Sequence, residues 1–250
     1  MRVNFLIVLP KVLVHEGGWA DHAEDPGGAT MRGIILATYA RYKGRKVTKR
    51  ELRNISDAEV AEIYKGEYWD RVRGDDLPSG MDYTVFDASV NSGFGRGPKW
   101  LQRALGVKQD ARIGNGTLAA ARAADPVKVI VAANAYRMGF LKGLKIWGAF
   151  GKGWSRRVAD VEAFSLKLAV GVQTAKQTVI PQAQRRVSAN QNATVAPVAA
   201  TGSSFTIPDM PDWALAGIAV LMLAAAIAFL GNARHHRDRV QALAALNEET

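Results

Sequence analysis

The sequence predicts a mainly α-helical, α+β fold with one small β element, followed by a tether and a single C-terminal transmembrane helix. Three observations support this prediction. Helix-capping residues and apolar residues at helical spacing recur between residues 56 and 170. A Pro-Gly-Gly turn separates two short segments within residues 19–35. Residues 213–233 carry no charge, and a helix of that length crosses a hydrocarbon core of about 30 Å.

The first element is predicted to be a core helix. It starts within residues 5–9 and ends near Glu16. Gly17 and Gly18 follow at once, and glycines are typical of a helix end. The apolar run is short, is interrupted by Pro10, and has no small-residue cleavage site after it. We therefore interpret it as part of the core rather than as a secretory signal peptide.

Residues 19–35 are expected to form a small β-hairpin or an irregular loop, and helices dominate the chain after them. Ser56 and Glu59 have the spacing of a capping box, which predicts a helix running toward Trp69. The other predicted helices lie at residues 81–91, from the first-turn proline Pro98 to Gly106, from Asp125 and Pro126 onward, and at about residues 154–170.

The chain is predicted to consist of a globular unit (residues 1–170), a flexible linker (171–211), a transmembrane helix (212–233) and a charged tail (234–250). The linker is rich in Ala, Thr, Val, Gln, Ser and Pro and has no sustained helical or strand period. A buried core helix is the alternative for the apolar segment, but too little chain follows it to bury it. Basic residues such as Arg234 favour a cytoplasmic tail and a periplasmic globular unit.

The globular unit is strongly basic. The chain has 33 Lys and Arg against 23 Asp and Glu, and nearly all of the excess lies in residues 1–170. An anionic partner is therefore expected: an acidic wall polymer, a membrane surface or nucleic acid. Nucleic acid is disfavoured, because the sequence has no P-loop, zinc finger or RNA-binding aromatic motif. The densest basic stretch, residues 41–53, is either a solvated surface or attracts the polymer over a Debye length of about 8–10 Å.

The scarcity of two residue types narrows the chemistry. Because the chain has no cysteine, disulfide scaffolds, thiolate zinc sites and cysteine nucleophiles are excluded. Only four histidines are present, and two of them lie in the charged tail. A three-histidine metal site is therefore not expected, and we expect no cofactor.

One cluster of residues could carry catalysis. Glu16 lies at the predicted end of the first helix, and Asp25 and Thr30 follow on either side of the Pro-Gly-Gly turn. A carboxyl group that an aromatic ring shields from water stays protonated more readily, and a second carboxylate with a hydroxyl can hold a water molecule. These are the requirements of glycoside hydrolysis. From spacing alone, a solvated helix-end carboxylate and an ordinary turn aspartate are equally compatible with the sequence.

Four stretches, in order along the chain, resemble the glycoside hydrolase 108 family of bacterial and phage N-acetylmuramidases. Residues 15–34 (HEGGWADHAEDPGGATMRGI) are similar to its EGGY-type opening. Residues 64–69 (YKGEYW) and 86–93 (FDASVNSG) are similar to its YxxxYW and FDxxVNxG segments. Residues 100–117 (WLQRALGVKQDARIGNGT) are similar to the start of its predicted peptidoglycan-binding region.

The resemblance implies a fold and a domain division. It implies a lysozyme-like α+β domain over residues 1–97, with the small hairpin near the active site. Residues 98–170 are then the helical, predicted peptidoglycan-binding region, packed on that domain. The linker and the transmembrane segment lie outside the resemblance.

The resemblance also implies catalytic residues. Glu16 matches the glutamate of the family's EGG motif, which is taken as the catalytic acid, and Asp25 and Thr30 match its DPGGxT segment. Thr30 is one residue closer to the aspartate than in phage lysozymes, whose Glu, Asp and Thr have otherwise similar spacing. Trp19 stands where the family commonly has tyrosine and keeps an aromatic ring.

Substrate contacts are expected from Trp19, Tyr68, Asp87 and Asn91. Asp87 and Asn91 are one helical turn apart, so their side chains face one direction. They line the sugar cleft or hold the Glu16 loop, or else they form a buried polar pair that orders the core. An aromatic side chain such as Tyr68 could stack on a sugar ring, but aromatic residues at this spacing more often belong to the core.

Two hypotheses follow for the function. The first is a membrane-tethered muramidase of the bacterial inner membrane, with peptidoglycan as substrate and a holin or secretion machinery as a further partner. Inversion at the anomeric carbon is favoured, and retention stays open. A phage or prophage lysis role and a secretion role fit equally. The second hypothesis is a membrane-tethered protein that binds wall glycan without catalysis.

Overall fold

The computed structural model describes residues 2–21 and 28–174. The chain divides into two compact units, one up to Gly143 and one from Leu144. Asp25, the expected linker from residue 175 onward, the expected transmembrane helix (212–233) and the charged tail lie outside the described residues. The first four residues of the expected linker, 171–174, are described and belong to a helix. Within the described part, no helix is both long and apolar enough to cross a membrane.

The first unit is mainly helical with a small three-stranded sheet, as the sequence predicts. Its elements in chain order are α1 (Arg2–Glu16), β1 (Trp19–Ala20), β2 (Thr30–Met31), β3 (Ile34–Ile35), α2 (Leu36–Lys43), α3 (Lys49–Arg53), α4 (Asp57–Tyr64), a π turn (Lys65–Trp69), a 3-10 turn (Gly74–Asp76), α5 (Met81–Ser92), α6 (Arg96–Ala104), α7 (Asn115–Ala123) and α8 (Pro126–Lys142). In the second unit, the described residues form α9 (Trp147–Thr174), which has a break at Gly171, where φ is 75°.

The sheet is antiparallel with the order β1-β2-β3. Trp19 pairs with Met31, and Met31 also pairs with Ile34. The two residues between β2 and β3, Arg32 and Gly33, both have positive φ angles, of 49° and 74°. A type I′ hairpin turn requires positive φ at both central positions. The hairpin expected in residues 19–35 is therefore present, and its second turn is the pair Arg32-Gly33.

Helix α5 lies at the centre of the first unit. Residues 81–89 are all buried, including the polar ones, and the helix packs against α1, α6 and α8. The rings of Phe5, Trp69 and Phe86 meet in the core with centroids 5.4–5.9 Å apart. Such tilted and edge-on aromatic pairs contribute about 0.5–1.5 kcal/mol each beyond the area they bury. This cluster fixes α1, and hence its last residue Glu16, against α5.

A buried carboxylate also joins α1 to α5. Asp82, in the first turn of α5, accepts hydrogen bonds from the Asn4 amide (2.8 Å) and from the backbone N–H groups of Gly80 and Tyr83. Burial nevertheless raises the pKa of Asp82 above its usual value, against the lowering effect of those hydrogen bonds. The bond from Asn4 fixes the start of α1 to the start of α5.

The predicted caps are present. Ser56 accepts from the backbone N–H of Glu59, whose side chain accepts from Ser56 in return, and Asp125 caps α8 immediately before Pro126. A second capping box, Thr48 with Glu51, opens α3 and was not identified from the sequence.

Helices α6 and α9 start earlier than predicted. Helix α6 begins at Arg96, two residues before Pro98, and Pro98 lies in its first turn as predicted. The expected domain division at residues 97 and 98 falls inside α6, which packs against both α5 and α8 within one compact unit. Helix α9 begins at Trp147 rather than near residue 154. The glycines of residues 148–153 cost about 1 kcal/mol each in a helix, but the helix continues through them.

Candidate active site

Glu16 is the last residue of α1, and its carboxylate is partly shielded from solvent. The helix ends there because Gly17 adopts a left-handed conformation with φ at 74°. The side-chain oxygen Oε1 of Glu16 is inaccessible to solvent, whereas the residue as a whole is half-buried. The carboxylate therefore lies at the edge of the fold, neither in bulk water nor in the core.

The β2–β3 turn lies directly against the Glu16 carboxylate. A Cβ atom built on Gly33 would lie 2.9 Å from Glu16 Oε2 and 2.6 Å from the Tyr64 hydroxyl oxygen. Real Cβ atoms essentially never come so close to other heavy atoms, and the φ of Gly33, 74°, also favours glycine. The Tyr64 hydroxyl donates a 2.8 Å hydrogen bond to the carbonyl of Arg32 in the same turn. Glycine at position 33 thus allows the turn, the tyrosine and the glutamate to meet.

A row of aromatic rings begins beside this point. The ring of Tyr64, in the last turn of α4, stacks on Tyr68 at 5.5 Å, and Tyr68 stacks on Phe94 at 5.0 Å. Tyr68 belongs to the π turn, a local widening of the helix that often occurs at functional sites. The Arg71 guanidinium lies over the Phe94 ring, 4.6 Å from its centroid.

The Tyr68 hydroxyl is in the electrostatic field of the candidate acid. Burial raises the pKa of Tyr68, and the negative charges of Glu16 and Glu67 raise it further, while Arg71 acts in the opposite direction. Tyr68 is half-buried rather than a core residue.

The sheet carries the other residues expected near the acid. Thr30 is on the central strand β2, half-buried, and its hydroxyl donates a long 3.4 Å hydrogen bond to the carbonyl of Gly28. Trp19 is on β1, half-buried, with the Arg53 guanidinium 5.6 Å from its ring centroid. Asp25 lies outside the described residues.

Asp87 and Asn91 lie on α5 and both contact Arg137 of α8. Asp87 is fully buried and forms an ion pair of 2.7 Å with Arg137, which is also buried. Arg137 donates a second bond, of 3.0 Å, to the amide oxygen of Asn91, which is half-buried. Asp87 therefore joins two helices inside the fold, and of this pair Asn91 is the member that reaches the surface.

The basic stretch at residues 41–53 is largely matched by acidic side chains. Four of its cations pair with carboxylates at 2.6–3.0 Å: Arg41 with Glu67, Lys43 with Glu59, Arg45 with Glu51, and Lys49 with Asp21. Exposed pairs of this kind contribute about 0–1 kcal/mol each to stability. Their pairing reduces the field that this stretch presents to a polymer.

Sequence reasoning missed three residues of this arrangement: Gly33, Phe94 and Arg137. A two-residue turn ending in glycine between the apolar residues Met31 and Ile34 was the available signal for Gly33. Phe94 and Arg137 had no local signal, because their contacts are with residues far away in the sequence. Among the described residues, no group of three or more His, Asp or Glu side chains is arranged to hold a metal ion.

Comparison with known proteins gives a match to a family model and matches to solved structures. The family model described as Glycosyl hydrolase 108 matches residues 9–93, which contain Glu16, the sheet and the first two rings of the aromatic row, Tyr64 and Tyr68. A solved structure described as that of Brucella abortus SagA is similar to this chain, with 41% sequence identity and a TM-score of 0.61. The match covers 68% of this chain and 98% of the SagA chain. No curated protein matches the chain.

Proposed function

Because this chain belongs to the glycosyl hydrolase 108 family, we propose that it is an N-acetylmuramidase that cleaves peptidoglycan. The bond to be cleaved is the β-1,4 bond between N-acetylmuramic acid and N-acetylglucosamine. The single observation that carries the proposal is the position of Glu16, a half-buried carboxylate at a helix end, against a glycine turn and beside a row of aromatic rings.

Glu16 is proposed as the general acid. A general acid must be within hydrogen-bond reach of the leaving oxygen and must exchange its proton readily with solvent. Glu16 has one oxygen shielded by the protein and belongs to a residue that is still half-exposed. The fixed turn at Gly33 limits the rotation of its side chain. The proton is delivered to the bridging oxygen, which leaves as the hydroxyl of the departing sugar.

Asp25, assisted by Thr30, is proposed to activate the attacking water. The support is the sequence spacing, together with the position of Thr30 on the central strand, the strand next to the turn that contacts Glu16. We propose inversion, in which the water attacks the face opposite the leaving group. Inverting enzymes separate their two carboxyl groups by about 6.5–9.5 Å, against about 5–5.5 Å in retaining enzymes.

Trp19 and Tyr68 are proposed to contact the sugar rings, and Asn91 a polar group of the glycan. All three are half-buried, which leaves part of each side chain accessible to a ligand. Asp87 is proposed to act indirectly, because its ion pair with Arg137 holds the helix that carries Asn91.

We further propose that residues 212–233 anchor the enzyme in the inner membrane, with the catalytic unit in the periplasm, where its substrate lies. The support is the uncharged segment and the basic residues after it. A holin-like pore or a secretion machinery would provide the export route.

The test is to incubate the full-length protein with purified peptidoglycan, reduce the products with borohydride, and analyse the soluble fragments by mass spectrometry. A muramidase gives fragments that end in reduced N-acetylmuramic acid. Fragments that end in reduced N-acetylglucosamine would contradict the proposed bond. Saturable binding without new reducing ends would support the non-catalytic wall-binding protein instead.

A further inference from the structure

The aromatic row beside Glu16 becomes progressively more exposed as it leads outward. Tyr64 is 1% exposed, Tyr68 is half-buried, and Phe94 is 39% exposed. The two ring steps measure 5.5 and 5.0 Å between centroids. Phe94 therefore lies two ring steps from the residue that touches the Glu16 turn, a distance comparable to the span of neighbouring sugar units in a glycan.

The backbone fixes Phe94 in this position. Gly93, immediately before it, has φ at 93° and ψ at 155°, a region that essentially only glycine occupies. This residue ends α5 and turns the chain so that Phe94 meets the π turn. Phe94 is thus held at the surface by a glycine that its backbone conformation requires, although core packing does not need an exposed phenylalanine there.

Arg71 lies over the Phe94 ring and supplies positive charge. Its guanidinium is 4.6 Å from the ring centroid, and its side chain is 55% exposed. Arg71 also contacts Glu67 at 3.0 Å, but the other oxygen of that carboxylate accepts from Arg41 at 2.8 Å. One carboxylate thus lies between two guanidinium groups, and one positive charge remains in excess beside the row.

We propose that Arg71, held in place by the Phe94 ring, is a binding site for a carboxylate group carried by the glycan next to the sugar that Glu16 cleaves. Phe94 is a positioning residue, because its ring lies against the guanidinium. The inference rests on the proposed function, since peptidoglycan is the glycan that carries such carboxylates.

Two carboxylates of peptidoglycan have this chemistry. One is the lactyl carboxylate of N-acetylmuramic acid, which is free only where the stem peptide has been removed. The other is a carboxylate of the stem peptide itself. A planar guanidinium binds either of them through two parallel hydrogen bonds. Chito-oligosaccharide has the same N-acetylated sugar rings and no carboxylate, so it serves as the neutral ligand.

Binding to the full-length Glu16→Gln protein tests the proposal without turnover. Dissociation constants are measured by calorimetry for peptide-free glycan fragments, for peptide-bearing fragments and for chito-oligosaccharide. In this background, we expect Arg71→Gln to raise the dissociation constant of one of the two acidic ligands by about five- to tenfold. This is the effect expected from losing a half-exposed, charge-assisted contact. The dissociation constant of chito-oligosaccharide should change by less than about twofold. The acidic ligand that is weakened identifies the carboxylate.

Two further variants sharpen the test. Phe94→Ala should weaken binding of the same acidic ligand. Combined with Arg71→Gln, it should raise the dissociation constant little further, because both substitutions remove the same interaction. Arg41→Gln is the matched control. Arg41 and Arg71 both pair with the Glu67 carboxylate, and Arg71 is the one whose guanidinium lies over the Phe94 ring. Arg41→Gln should leave all three dissociation constants within about twofold, since exposed charges at a distance are screened.

Equal weakening by Arg71→Gln and Arg41→Gln would overturn the proposal, because it would indicate a diffuse field rather than a site. Equal weakening of acidic and neutral ligands, or no weakening, would overturn it as well. Release of reducing ends by the wild-type protein is a separate measurement. A protein that hydrolyses peptidoglycan but shows no Arg71-dependent discrimination would contradict this inference and leave the proposed function intact.

Discussion

Glu16 and Asp87 are both acidic residues that the sequence marks as site candidates, and the fold gives them opposite surroundings. Glu16 ends a helix, keeps part of its surface accessible, and lies against a backbone turn and a tyrosine hydroxyl. Asp87 is in the middle of α5, fully buried, with its charge matched by the buried Arg137 at 2.7 Å.

The difference separates a carboxyl group that is partly accessible to solvent from one that is enclosed in the fold. A buried ion pair is costly to break, because removing one partner leaves an uncompensated charge in the interior. A half-exposed carboxylate on a rigid support keeps access to water and substrate. On this basis we propose a catalytic role for Glu16 and a structural role for Asp87.

The largest expected effect on stability is that of Arg137→Met. This change leaves Asp87 buried without its cation, and should lower the free energy of unfolding by about 3–5 kcal/mol. Denaturant unfolding followed by circular dichroism measures it. The double variant Asp87→Asn/Arg137→Met should recover most of the loss, because the buried charge is gone.

The same variants separate the two interpretations of Asp87. If the ion pair orders the core, the double variant keeps hydrolytic activity at temperatures where it is folded. Loss of activity in a double variant of near-normal stability would instead indicate that Asp87 acts on the substrate.

The next largest effect, on the rate of hydrolysis, is expected from Gly33→Ala, which changes the surroundings of Glu16. The new Cβ would overlap Glu16 Oε2 and the Tyr64 hydroxyl, and a displacement of the acid by 1 Å can cost about a hundredfold in rate. Initial rates of peptidoglycan hydrolysis measure it.

Gly44→Ala is the matched control for Gly33→Ala. Gly44 has a similar φ, 65°, and a Cβ atom added to it would have no atom of the described residues within 4 Å beyond its own chain neighbours. The substitution should therefore cost only the backbone strain of about 1–2 kcal/mol and leave the rate unchanged. Equal loss of rate in both variants would show that Gly33 matters only for the turn.

A smaller effect, of opposite sign, is expected from Ala111→Gly. Ala111 has φ at 65°, where alanine is strained, and its backbone N–H donates to the buried Gln102 side chain at 3.0 Å. Glycine should relieve the strain and stabilise the protein by about 0.5–1 kcal/mol. Thermal unfolding measures the gain, and a lower melting temperature would contradict it.

The smallest effect on stability is expected for Glu59. This acidic residue near the surface serves as a reference for Glu16 and Asp87. Hydrogen bonds from the Ser56 backbone and from Lys43 lower the pKa of Glu59 from its ordinary 4.5 to about 2. Since the folded-state pKa is the lower one, its stabilisation is present above about pH 4.5 and is lost as the pH falls toward 2.

Melting temperatures between pH 2 and 7 test this assignment. Glu59→Gln should remove a pH-dependent contribution of at most about 1 kcal/mol, and should leave the variant with a shallower decline in acid than the wild type. Glu62→Gln on the same helix is the control. Identical acid profiles for wild type and Glu59→Gln would contradict the assignment.

Local signals predicted much of the fold. The first helix ends at Glu16 because its glycine stop is adjacent in sequence, and the Ser56 and Asp125 caps act within three residues. The sheet was predicted only as a hairpin or loop, since strands of two residues have almost no hydrophobic pattern.

The site was predicted less completely, because its contacts are long-range. The meeting of Glu16 with Gly33 and Tyr64, and the pairing of Asp87 with Arg137, join elements far apart in sequence. No periodicity or cap encodes such a contact. Asp87 and Asn91 were recognised as a pair by spacing, but their shared partner on α8 could not be.

The most direct test of the account is the activity of Glu16→Gln beside its stability. The substitution keeps the shape of the side chain and removes the transferable proton. We predict a melting temperature within a few degrees of the wild type and a loss of peptidoglycan hydrolysis of about 10²–10⁴-fold. A folded Glu16→Gln protein that releases reducing ends at the wild-type rate would contradict the assignment of Glu16 as the acid.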